Sequence, residues 1–94
     1  MNAKSAAPAK VMFEIYRDAP GAGAYRVVYF SELEEHERDD AIEQAMNGQH
    51  VFDGFVPPGD GPKARIAALL ERLNAGATLE RDGIRSELEG VLVN

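Results

Sequence analysis

The chain has no cysteine, no tryptophan and only two histidines among its 94 residues. Without cysteine there is no disulfide, no thiolate-held zinc and no thiol nucleophile, and the usual indicator of redox compartment is missing. No serine stands in a G-x-S-x-G elbow, so His36 and His50 have no local support as members of a hydrolase triad. Aromatic residues number seven, all Phe or Tyr, which points to a thin core even though 45% of the residues are hydrophobic. Long apolar runs are absent: Ile66–Leu70 is five residues, against the roughly 20 needed to span a bilayer. Met1–Lys10 has two lysines but no apolar h-region, so it reads as a disordered tail and not a signal peptide. These absences lead to the expectation of a soluble, cytoplasmic protein without a membrane partner.

What is abundant is negative charge, and it is concentrated. Glu32, Glu34, Glu35, Glu37, Asp39, Asp40 and Glu43 stand against the single Arg38 in twelve residues, which equals the whole net charge of −6. A strip of this kind steers cationic partners and repels nucleic acid. It is also compatible with a plain solvated helix face whose carboxylates lie near a helix N-terminus. Glu32, His36 and Asp40 at i, i+4 and i+8 would share one face of a continuous helix, a weak metal-site pattern that lacks EF-hand spacing.

Hydrophobic periodicity divides the chain into an αβ half and a helical half within one small domain, 11–94. In Val11–Arg17 the residues Val11, Phe13 and Ile15 alternate with Met12, Glu14 and Tyr16. Ala24–Phe30 repeats the pattern, and Asp18–Gly23 between them carries Pro20, Gly21 and Gly23, so a β-hairpin with a long, mobile loop is expected. Ser31 with Glu34 has the form of a capping box. Ala41, Ile42, Ala45 and Met46 make a helical stripe that secures a helix over Arg38–Met46, closed by Asn47-Gly48, while Glu32–Glu37 is either its first turns or a separate short turn. Gln49–Val56 reads as a tiny hairpin around Asp53-Gly54, or as one strand with a bend.

The Pro/Gly run 57–62 marks a linker. Beyond it Ile66, Leu69, Leu70 and Leu73 predict a helix ending at Gly76, and Ile84, Leu88, Val91 and Leu92 predict a second, N-capped by Thr78. The expected fold is α+β: a small antiparallel sheet packed with an acidic helix and a C-terminal helical hairpin, the helices covering one face.

No motif for catalysis or cofactor binding emerges, and none is expected. Gly21-Ala22-Gly23 and Gly59-Asp60-Gly61-Pro62 lack the residues of a phosphate loop. Tyr16, Arg17, Tyr25 and Arg26 form a basic-aromatic patch on the hairpin, but residues 61–94 hold five basic and five acidic side chains, too balanced for direct nucleic-acid binding. The expectation is therefore a small non-catalytic interaction or regulatory module that engages a basic protein partner. Glu34, Glu35, Glu37, Asp39 and Asp40 would steer it, and Phe52 and Phe55 would dock it. Two alternatives stand beside this: a nucleic-acid-mimicking, antitoxin-like inhibitor, and an accessory subunit that binds a small ligand or metal. The Leu-rich stripe, if exposed, would favour a homodimer.

Overall fold

The computed structural model describes residues 10–93, so the tail expected over Met1–Lys10 lies outside the described residues except for Lys10. The chain runs β1 (Val11–Ala19), β2 (Ala22–Tyr29), a 3-10 turn (Phe30–Glu32), α1 (Glu35–Asn47), β3 (Gln49–Val56), α2 (Asp60–Asn74) and α3 (Arg81–Glu87). The fold is α+β, with a three-stranded antiparallel sheet in the order β2-β1-β3. Since β1 is central, β2 and β3 run parallel to each other on its two edges. The connection between them must cross a face of the sheet, and α1 makes that crossing.

Strand pairing assigns every side chain to a face. Opposite Val11, Phe13 and Ile15 of β1 stand Val56, Gly54 and Phe52 of β3, and on β2 Phe13 faces Tyr29 while Ile15 faces Val27. This first face is sealed by Ile66, Leu69 and Leu73 of α2 and by Ile84 and Leu88, with which Val11, Phe13, Ile15, Phe52 and Val56 form one buried cluster. Phe13, Ile15, Phe52, Ile66, Ile84 and Leu88 have no exposed surface. The aromatic centre is the tilted pair Phe13–Phe52, with ring centroids 6.2 Å apart. Removing either ring leaves a cavity in a core that has few large side chains to refill it.

Several expected boundaries move for identifiable reasons. The hairpin loop is Pro20-Gly21 alone, because pairing continues through Ala19 and Ala22. Ser31 does not cap a helix: its hydroxyl accepts the Met12 N–H at 3.0 Å, extending the edge of β1. The cap passes to Glu34, whose N–H is accepted by Glu37 Oε1 at 2.9 Å, and α1 therefore starts at Glu35 and not at Arg38. Gln49–Val56 is a single strand with an irregularity near Val51, so Asp53-Gly54 does not reverse the chain. Glu80, not Thr78, holds the N-cap position of α3, without a side-chain hydrogen bond, and the helix ends at Glu87. The chain then turns through Gly90, and Val93 bridges to Phe55.

The helices do not share one face. α2 and α3 cover the first, through β2 and β3 respectively. α1 lies over the second, where Glu14, Phe30 and His50 line a groove together with Ile42, Ala45 and Met46. Among the described residues no helix is long and apolar enough to cross a membrane.

Leaving α1, the backbone passes so close to β1 that a Cβ on Gly48 would lie 1.9 Å from the Arg17 carbonyl oxygen and 3.3 Å from the Tyr16 ring. Gly61, near the start of α2, has nothing within 4 Å of the corresponding position. Gly48→Ala is expected to cost about 1–3 kcal/mol through backbone displacement. Gly61→Ala is expected to gain up to about 1 kcal/mol by restricting the unfolded chain. Urea unfolding of the two variants beside the parent protein checks both signs.

Candidate interaction surface

α1 has no buried residue, whereas α2 buries Ile66, Leu69 and Leu73. Its inner side is small, with Ala41 and Ala45 half-buried against the sheet. The larger apolar residues stand at the margin of the contact: Ile42 is 44% exposed and Met46 78%. Beneath them stand Met12 on the second face of the sheet, which is also exposed, and half-buried Phe30 of the 3-10 turn. Glu14, Phe30, Ile42, Ala45, Met46 and His50 line a groove of about 310 Å³, and it continues past Met12 and Arg38. An apolar seam of this kind, left half open, is the sort of surface that partners use.

The acidic residues separate into those engaged within the fold and those left free. Glu32 accepts a hydrogen bond from Lys63 at 2.5 Å, tying the 3-10 turn to the start of α2. Lys63 also lies 5.0 Å from the Tyr29 ring. Burial, and secondarily the Glu32 charge, raise the Tyr29 phenol above its usual pKa. Glu34 and Glu37 are engaged at the cap. Glu35, Asp39, Asp40 and Glu43 are exposed, and among the described residues none is within ion-pair distance of a cation. Glu35, Asp39 and Glu43 fall at i, i+4 and i+8, so they form one ridge along α1. Ile42 and Met46 form the neighbouring ridge. The result is a carboxylate edge running beside an apolar edge.

A second group of charges, which the sequence reading missed, lies on the second face, with Glu14 and His50 lining the groove and Asp53 beside them. Glu14 Oε2 is 3.0 Å from His50 Nδ1, and Asp53 Oδ2 is 3.8 Å from His50 Nε2. Cross-strand pairing produces this grouping, since Glu14 faces Asp53 and Tyr16 faces His50 in the register of β1 and β3. The signal was present in the alternation of Met12, Glu14 and Tyr16, but the partner strand was needed to complete it.

Other expected groupings come apart. Phe52 is fully buried in the core and offers no docking surface, which corrects its assignment as a partner-binding residue. Phe55 is half-buried on the second face, opposite Met12, with the Lys10 ammonium 4.5 Å from its ring centre. Glu32 precedes the start of α1, so Glu32, His36 and Asp40 do not lie on one continuous helix. Among the described residues no group of three or more His, Asp or Glu is placed to hold a metal ion. The pleat splits the hairpin patch: Arg17 pairs with Tyr25 on one face and Tyr16 with Arg26 on the other. Arg26 is taken by Asp18, 2.5 Å away, whose carboxyl is held below its ordinary pKa chiefly by that hydrogen bond. Comparison with protein-family models, curated proteins and solved structures finds no match for the chain.

The free acids are more than the helix can use. Carboxylates help in the first turn of a helix, but Asp39 and Glu43 lie beyond it, and no basic residue stands in the last turn of α1. Replacing both, Asp39→Asn with Glu43→Gln, removes like-charge i,i+4 repulsion and should raise stability by about 0.5–1 kcal/mol at low salt. The gain should shrink at high salt, where exposed charges are screened. Thermal unfolding at the two salt concentrations measures it.

Proposed function

We propose that this chain is a non-catalytic interaction module that binds a basic, amphipathic protein segment along α1 and the second face of the sheet. One observation carries the reading: the ridge Glu35–Asp39–Glu43, without partners among the described residues, borders the half-open apolar seam of Ile42 and Met46. A segment with lysines or arginines along one side and apolar side chains along the other would pair with both edges at once. The carboxylates would speed encounter, and the apolar groove would supply the holding energy. Glu14 adds a negative group within the groove, and Glu34, Glu37 and Asp40 extend the field around it. Phe55 lies on the same face at its edge, while Phe52 serves the core.

Selection of displayed random peptides on the immobilised protein tests this. The expected binders combine Lys or Arg with Leu, Ile, Phe or Met. Their affinity should fall roughly tenfold for Glu35→Gln/Asp39→Asn/Glu43→Gln and comparably for Ile42→Asp, and it should weaken with salt. Binders rich in acidic residues, or binding that ignores both substitutions, would overturn the reading. Amide spectra of each variant establish that its fold is retained.

A further inference from the structure

The first face of the sheet carries a different kind of cleft at its hairpin end, where the start of α3 approaches the start of β3. A cavity of about 210 Å³ is lined there by Arg17, Tyr25, Gln49 and Arg81, with Leu79 and Ile84 among its apolar walls. Among the described residues no carboxylate lines it. Among the described residues, neither Arg17 nor Arg81 is within ion-pair distance of an acid.

The donors are held in place by contacts that leave their hydrogen-bonding groups open. The Arg17 guanidinium lies 4.6 Å from the Tyr25 ring centre, and its Nε donates to the Gly23 carbonyl at 3.3 Å; among the described residues neither terminal nitrogen has a hydrogen-bond partner. Arg81 lies 5.9 Å from the Phe52 ring, and Arg85, one turn on, lies 5.4 Å from the same ring. Gln49 Oε1 accepts the Gly21 N–H at 2.9 Å, which fixes the side-chain amide and leaves its NH₂ as the unused end. Register brings these groups together, because Arg17 pairs with Gln49 on β3 and with Tyr25 on β2, placing all three on one face.

We propose that this cleft binds the phosphate dianion of a small phosphate ester. Two guanidinium groups and an amide NH₂ offer more donors than a carboxylate's two oxygens can use, and they suit a group with three or four acceptor oxygens. The arginines supply the compensating charge, and the volume left beside the phosphate accommodates a small organic substituent against Leu79. The site lies on the opposite face from the α1 groove, and His50 of the edge strand β3 is the one residue that lines both.

The probe is inorganic phosphate, titrated into isotopically labelled full-length protein at constant ionic strength, with chloride as the balancing anion. The expected result is a saturable shift of the Arg17 and Arg81 Nε–H signals and the Gln49 side-chain amide signals. Affinity should fall roughly tenfold in Arg81→Gln, as for loss of one charge-assisted hydrogen-bonding group. Arg26→Gln, which alters an arginine paired with Asp18 outside the cleft, should leave it unchanged. Arg81 is exposed on α3, so its variant keeps the test valid even if Arg17→Gln disturbs the sheet. Shifts no larger than chloride alone produces would overturn the proposal, as would equal phosphate affinity in Arg81→Gln. Phenyl phosphate serves as the second probe: tighter binding than inorganic phosphate assigns the apolar wall to the ester group, and weaker binding overturns the ester part of the proposal.

Discussion

Everything in this molecule depends on β1 being paired on both edges, because one strand of alternating residues then has to serve two faces with different requirements. Its odd positions, Val11, Phe13 and Ile15, enter the buried cluster with Phe52, Val56 and the apolar stripe of α2. Its even positions, Met12, Glu14 and Tyr16, face the other way. The strand order β2-β1-β3 sends α1 across that second face, since the end of β2 and the start of β3 are separated by β1. With so few large side chains available, the chain buries most of them on the first face, and among the described residues of the second face Tyr16 alone is buried. The second is left to a helix whose contact residues are alanines and whose apolar side chains remain largely open.

That division explains which parts of the structure were legible in the sequence. The spacing of Ile66, Leu69, Leu70 and Leu73 identified α2 because a core-facing stripe is a local signal. Val11, Phe13 and Ile15 identified β1 for the same reason. Periodicity states which residues share a face but not what covers that face, so the placement of α1 opposite α2 and α3 could not be read. Asp53-Gly54 looked like a reversal, yet Gly54 stands opposite Phe13, where an added Cβ would lie 3.4 Å from the Phe13 ring and 3.3 Å from Leu92. The glycine makes room for neighbours in a continuous strand. Ser31 misled for a related reason, since its hydroxyl was claimed by a strand edge that local sequence does not reveal.

The candidate surfaces were legible in part. The acidic run was plain, but the Lys63 contact that engages Glu32 depends on tertiary structure, and the local Glu34–Glu37 cap emerged only once Ser31 was taken by β1; among the described residues this leaves Glu35, Asp39, Asp40 and Glu43 without a cation. Phe52 and Phe55 looked equivalent as neighbours of a turn dipeptide; strand alternation and the shift near Val51 give one to the core and the other to the second face. Arg17 and Arg81 are far apart in the chain and acquire a common cleft only through the pairing of β1 with β3 and the return of α3. Charge is thus sorted by the fold into a carboxylate edge on α1 and an arginine cleft on the opposite face. On the two proposals, the surfaces would take ligands of opposite sign.

α1 covers the second face without sealing it, and the proposed partner surface depends on that opening. Native-state amide hydrogen exchange addresses this directly, because it reports the free energy of local opening separately for each helix. The α1 amides are expected to exchange through local opening, with protection roughly a hundredfold or more below that of α2, corresponding to about 3 kcal/mol less resistance to opening. Protection in α1 equal to that in α2, lost only with the whole fold, would contradict it and make α1 a fixed part of the core structure.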